Sequence, residues 1–234
     1  MHAHEARGLT GLRADGSSLA TQATLHRVVG VLATNLHVLA DERSREAIAI
    51  DTALPCVDWL TAALRERGWT LKLIVSTHGH WDHIGDNAPV SEATGAQIAV
   101  HPADAYRLAN PTSSWLPLEI LPSVPAVELA EGGEVRFGAF RLEVLHTPGH
   151  TEGSVCLFDR EAGRLYSGDT LFKGSFGRVD LPGGDPEAMI ESLDRLRTFD
   201  DFVTVLPGHG PSTTIGAERP WLDWIARERQ LPGG

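Results

Sequence analysis

The residues Ser76-Thr-His-Gly-His-Trp-Asp-His83 place three histidines and an aspartate within six positions, directly after an apolar run. Neutral imidazole and carboxylate together suit zinc, iron or manganese better than magnesium or calcium. Two groups this close in sequence can serve different ions if the loop splays them. His78 and His80 can then face one metal, and Asp82 and His83 another. Residues distant in sequence must complete both shells. His150 in Thr147-Pro-Gly-His-Thr151, Asp169 in Ser167-Gly-Asp-Thr170 and His209 in Pro207-Gly-His-Gly210 are the candidates. Each lies just past an apolar run and beside a glycine that frees the backbone. A lone histidine or aspartate in such a turn is more often structural. Four strand ends that each offer a ligand-type residue favour a metal centre.

The surrounding pattern supplies the platform. Val28–Leu32, Leu36–Leu39, Ala47–Ile50, Leu71–Val75, Gln97–Val100 and Phe202–Leu206 read as strands. Val135–His146 and Val155–Tyr166 read as two strand pairs, the second turning near Glu161–Gly163. Cys56–Arg67 has helical apolar spacing and is closed by Gly68. Ser76–Gly85 reads as a polar loop, Asp86–Thr94 as a short helix interrupted by Pro89, and Asn110–Pro125, with four prolines, as an irregular loop. Pro186–Arg197 is a helix with Asp185 at the N-cap and an apolar stripe of Met189, Ile190, Leu193 and Leu196. Ile215–Arg229 is the last helix, with an early Pro220. Strands and helices alternate in two successive halves. That predicts an α/β chain built as two packed sheets with helices outside. Residues 1–23 read as a loose N-terminal arm and 24–234 as a single metal-binding domain.

The four motifs, in this order, resemble the metallo-β-lactamase fold superfamily, and the match runs from about Val28 to Trp221. The resemblance implies an αββα sandwich of two mixed sheets with the site at the edge between them. It implies that His78, His80 and His150 hold one metal, that Asp82, His83 and His209 hold the second, and that Asp169 bridges the pair. Gly168–Asp180 and Gly208–Arg219 resemble the glyoxalase II (hydroxyacylglutathione hydrolase) branch, in its short single-domain form. An aspartate at 169, where typical penicillin-destroying lactamases carry cysteine, points the same way. By that resemblance Arg178 is a candidate contact for a substrate carboxylate, with Lys173 a weaker one. Pairing of Arg178 with Asp180 and solvation of Lys173 are the structural alternatives.

Two divalent ions, zinc or else iron or manganese, lower the pKa of a shared water to about 7, so that hydroxide exists at neutral pH. Asp169 suits the bridging place and Asp82 can ligate one ion and orient the hydroxide; these two are the candidate catalytic carboxylates. Attack on a thioester or related acyl carbonyl, as in S-lactoylglutathione, releases a thiol of pKa near 8.5, which leaves without a strong acid. No uncommitted acid stands out. His146 suits packing or support of a ligand, and His26, His37 and His101 read as structural or exposed. The alternatives are a mononuclear iron persulfide dioxygenase, a lactone or phosphoester hydrolase on the same site, and a non-enzymatic binding protein on this fold.

A net charge of −11 opposes nucleic acid or an anionic membrane as partner. No run of about 18 apolar residues is present to span a bilayer, and the N-terminal residues lack the apolar core of a secretory signal. Two cysteines, Cys56 and Cys156, are too few for a disulfide framework and read as buried thiols of a cytoplasmic protein. A small-molecule substrate fits these limits, and oligomeric state is left open.

Overall fold

The computed structural model of the chain describes residues 21–113 and 118–232. Most of the expected arm, residues 1–20, and part of the Asn110–Pro125 loop lie outside them.

Alternation along the strands builds the layers. One six-stranded sheet runs in the order β1 (Gln22–Val29), β2 (Thr34–Asp41), β3 (Glu46–Ile50), β4 (Thr70–Val75), β5 (Gln97–Val100) and β6 (Val127–Glu128). In β3, Ala47 and Ala49 face one way and Ile48 and Ile50 the other, because successive side chains point to opposite faces. In the second sheet, β9 (Val155–Asp159) splits the same way: Val155 and Leu157 inward, Cys156 and Phe158 outward. Its neighbours are β8 (Phe140–His146), β7 (Glu134–Phe137), β10 (Arg164–Gly168), β13 (Thr204–Pro207) and β14 (Thr213–Thr214). Both sheets are mixed: β3, β4, β5 and β6 pair in parallel, as do β10 and β13, and the other neighbours are antiparallel.

Three cores result. Ile48, Ile50 and Val75 meet Phe140, Leu142 and Leu157 between the sheets. On the outer face of the first sheet pack α1 (Val57–Arg67), α2 (Trp81–Ile84), α3 (Asn87–Thr94) and α4 (Ala105–Ala109). On the outer face of the second pack α5 (Pro186–Arg197) and α6 (Ile215–Glu228). This is the αββα sandwich of two mixed sheets expected from the motifs.

The helix ends follow their local chemistry. Asp185 caps α5 by accepting from the N–H groups of Glu187 and Ala188, and Gly68 closes α1 in the left-handed conformation. The α1 N-terminus is capped from a distance: Asp86 Oδ2 accepts from the backbone of Cys56 and Val57.

Several expectations are corrected. The first strand is Gln22–Val29, not Val28–Leu32; residues 30–33 form the turn into β2, and Val28 and Val31 are exposed. β1 therefore already includes Gln22 and Ala23 of the expected arm. The Ser76–Gly85 loop contains helix α2. Pro89 does not interrupt α3, because it falls in the first turn, where its missing N–H has no helical partner to lose. The strand expected over Phe202–Leu206 is Thr204–Pro207, with Phe202 exposed. Two short strands, β11 (Leu171–Phe172) and β12 (Ser175–Phe176), form a separate ribbon.

Candidate metal centre

Every strand that feeds the site does so from its C-terminal end. β3 ends before Asp51, β4 before the loop to His80, β8 before the turn with His150, β10 before Asp169 and β13 before His209. The first two belong to one sheet and the last three to the other. The sheets are also stitched here: Asn35 N–H donates to Gly208 O at 2.7 Å, and the Asn35 amide donates to Pro207 O and Gly210 O.

All seven candidate ligands converge at this edge. Three sets each bring their ligand atoms within 4.8 Å of one another: His78, His80 and His150; His78, His83 and Asp169; Asp82, His83 and His209. His80 Nδ1 lies 2.8 Å from His150 Nε2, and His83 Nε2 lies 3.1 Å from His209 Nε2. Asp169 reaches both groups, with Oδ1 3.4 Å from His83 Nε2 and Oδ2 3.5 Å from both His150 Nε2 and His209 Nε2. Asp82 Oδ2 is 3.2 Å from His209 Nε2. Donors around a tetrahedral zinc stand about 3.3 Å apart, given Zn–N bonds of 2.0–2.1 Å, so this spacing suits an ion.

Two buried atoms carry the fit most directly. His78 Nε2 and Asp169 Oδ1 have no hydrogen-bond partner. An unsatisfied buried polar group costs about 1–3 kcal/mol, and a cation between the ligands would satisfy both.

Hydrogen bonds behind the rings fix which nitrogen faces the cluster. His83 Nδ1 bonds Asp51 Oδ2 at 2.9 Å, His150 Nδ1 bonds Arg178 O at 2.7 Å, and His209 Nδ1 bonds Leu32 O at 3.0 Å. His78 Nδ1 meets Thr77 Oγ1, which itself donates to Asp51 Oδ2. Four rings therefore turn Nε2 to the centre, and His80 alone presents Nδ1. Such outer partners set tautomer and raise ligand basicity.

Burial and charge divide the centre. Burial, reinforced by neighbouring imidazoles, holds His78 well below the ordinary histidine range and lowers His80 to about 3. Both are thus neutral, as ligation requires. Burial also pushes His83 down, but Asp169, Asp82 and Asp51 outweigh it and raise His83 to about 10. For Asp82, burial alone would raise the carboxyl, yet His83 and His209 bring it below the usual range.

Asp51 and Asp104 are absent from the sequence-based site. Asp51 is buried at a positive φ of 58° and accepts from Thr77 N and Oγ1 besides meeting His83. Asp104 is fully buried. It accepts from Gly79 N at 2.6 Å, Thr151 Oγ1 at 2.7 Å and Gly153 N at 2.9 Å, which ties the His78–His80 loop to the His150 loop. Neither belongs to a dense motif; an Asp directly after an apolar strand was the signal available for Asp51. Gly208 is needed for close approach: a Cβ there would sit 2.3 Å from Asp169 Oδ1 and 2.7 Å from His83 Cε1.

The centre opens into a cavity of about 660 Å³ whose walls include Leu32, Trp81, Tyr106, Arg107, Phe172, Phe176 and Arg178. Arg178 lines it while bonding both oxygens of Asp180. Lys173 is exposed at the turn between β11 and β12 and is not among the lining residues. His146 lies outside the centre, stacked on His101 at 4.0 Å, and His26 stacks on His37.

Residues 29–209 match the metallo-beta-lactamase superfamily, and the chain belongs to that superfamily. An uncharacterized protein of Mycobacterium tuberculosis is 36% identical over 216 residues, covering 85% of this chain and 96% of its own. The hydroxyacylglutathione hydrolase GloC of Haemophilus influenzae is 32% identical over 173 residues, covering 68% of this chain and 78% of its own. The crystal structure of the B3 metallo-beta-lactamase BLEG-1 superposes with a TM-score of 0.79 at 31% identity, over 85% of this chain and 99% of that one. The di-iron-bound form of TTHA1623 gives 0.74 at 36% identity, over 82% and 96%. Of these, GloC places the chain in the glyoxalase II-like branch of the superfamily.

Proposed function

We propose that the chain is a dinuclear metal-dependent hydrolase of thioesters or related acyl compounds, S-lactoylglutathione-like in their reacting group. The observation that carries it is the pair of ligand triads linked by Asp169, with two orphaned ligand atoms turned inward. His78, His80 and His150 would hold one ion, Asp82, His83 and His209 the other, and Asp169 would bridge. Bound there, two divalent ions, zinc in this reading, would acidify a water and polarise the acyl carbonyl.

The chain's own residues do the rest. Asp51, Thr77 and the carbonyls of Arg178 and Leu32 hold the rings of His83, His78, His150 and His209 with Nε2 turned to the centre, and His83 gives up its second proton on ligation. Asp82 and Asp169 would offset the charge of the ions, and Asp82 would orient the attacking water. The cavity walls position the acyl group and limit access of bulk water. The new C–O bond forms as the C–S bond breaks; the conjugate thiol has a pKa near 8.5, so the sulfur leaves as thiolate without help from an acid and then takes up a proton lost by the carboxylic acid, giving a carboxylate and a thiol. The likeness to GloC supports a thioester, and the free, buried thiols Cys56 and Cys156 support a cytoplasmic setting.

Likeness to BLEG-1 favours a β-lactam as the second substrate class, since its ring offers the same acyl carbonyl. Purified protein with measured metal content is assayed on S-D-lactoylglutathione, simple acyl thioesters and a chromogenic β-lactam. Chelator-sensitive thioester turnover exceeding lactam turnover is expected. Lactam hydrolysis without thioester hydrolysis, or oxygen uptake with glutathione persulfide in its place, would overturn the proposal.

A further inference from the structure

The cavity wall says what kind of arm the acyl compound carries. Leu32, Trp81, Phe172, Phe176 and Leu181 give it broad apolar surface. Among the described residues, Arg107 and Arg178 are the arginines that line it, and no lysine does. Each is already neutralised. Arg107 Nη2 donates to Glu152 Oε2 at 2.7 Å and to Pro182 O at 2.8 Å, with Asp104 Oδ1 3.5 Å from Nε. Arg178 donates from Nε and Nη2 to the two oxygens of Asp180, both at 2.7 Å.

An anionic arm reaching for either guanidinium meets a carboxylate beside it, and attraction and repulsion largely cancel. An apolar arm needs no such exchange. It leaves water and packs on aromatic rings, which is how most small-ligand sites of this size bind. We infer that the preferred substrate is an uncharged thioester with an apolar acyl arm, not one borne on the dicarboxylate tripeptide glutathione. This rests on the hydrolase reading above and narrows it.

The two ion pairs differ in how firmly they hold. Arg107 is mostly covered and donates to both Glu152 and the Pro182 carbonyl, whereas the Arg178 and Asp180 side chains are 53% and 67% exposed. Arg178 is therefore the cation an anion could recruit if Asp180 were removed.

The test uses the metal-loaded protein and three substrates: S-phenylacetyl-N-acetylcysteamine, S-acetyl-N-acetylcysteamine and S-D-lactoylglutathione. The phenylacetyl thioester should exceed the acetyl one in kcat/KM by about tenfold or more, the range expected for added apolar groups in a hydrophobic pocket. It should also exceed the glutathione thioester. Asp180→Asn should raise kcat/KM for the glutathione thioester by freeing Arg178. A wild-type preference for S-D-lactoylglutathione, or phenylacetyl no better than acetyl, would overturn the inference and leave the hydrolase reading intact. No gain in Asp180→Asn would contradict the charge neutralisation on which it stands. Turnover of none of the three would overturn both.

Discussion

Asp104 contributes no ligand atom, yet it binds the backbone between His78 and His80 and the hydroxyl beside His150. It therefore acts as a positioning residue for the first triad. Asp104→Asn keeps the shape but turns an NH2 either toward the Gly79 N–H and Thr151 hydroxyl, which share Oδ2, or toward the Gly153 N–H at Oδ1. We predict zinc affinity at the first triad about 10–100-fold weaker, in the range seen when groups behind ligands are changed. A chelator-competition titration measures it, with circular dichroism showing an unchanged fold. Undiminished affinity would reduce Asp104 to a filler of the core. The same scale shows what sequence could reveal. His78, His80, Asp82 and His83 announce themselves by density, and His150, Asp169 and His209 by strand-end glycine turns. Asp51 and Asp104 are single carboxylates in ordinary contexts, and their importance comes from partners 25 to 49 residues away.

The elements that were legible are those whose own chemistry fixes both ends. α5 has Asp185 and Pro186 at its start and a four-residue stripe buried in the second sheet's outer core. Asp185→Ala removes an acceptor for two otherwise orphaned N–H groups. It should destabilise the protein by about 1 kcal/mol, read as a lower urea midpoint at unchanged slope. No shift would mean that water replaces the cap. Short elements were not legible. α2 has four residues and β11 and β12 two each, too few for periodicity to register. The misplaced first strand has a related cause: β1 is an edge strand with a largely exposed middle, so its apolar signal is weak until Val28.

At the scale of the whole molecule, two sheets bury one core between them and present ligands from both at a shared edge. Leu157 is fully buried in that central core, and Leu157→Ala should cost about 2–5 kcal/mol. Thermal unfolding would show it, and a loss below 1 kcal/mol would imply that the sheets close over the cavity. The alternation of strands and helices made the sandwich legible, whereas the pairing order and the stitch from Asn35 to Gly208 arise only on folding. The central claim is that this edge holds two ions linked by Asp169. It is tested most directly by titrating chelator-stripped protein with zinc and counting bound ions by native mass spectrometry, alongside Asp169→Ala. The account predicts two ions per wild-type chain and loss of at least one in the variant. One ion per wild-type chain at saturation, or two retained in Asp169→Ala, would contradict it.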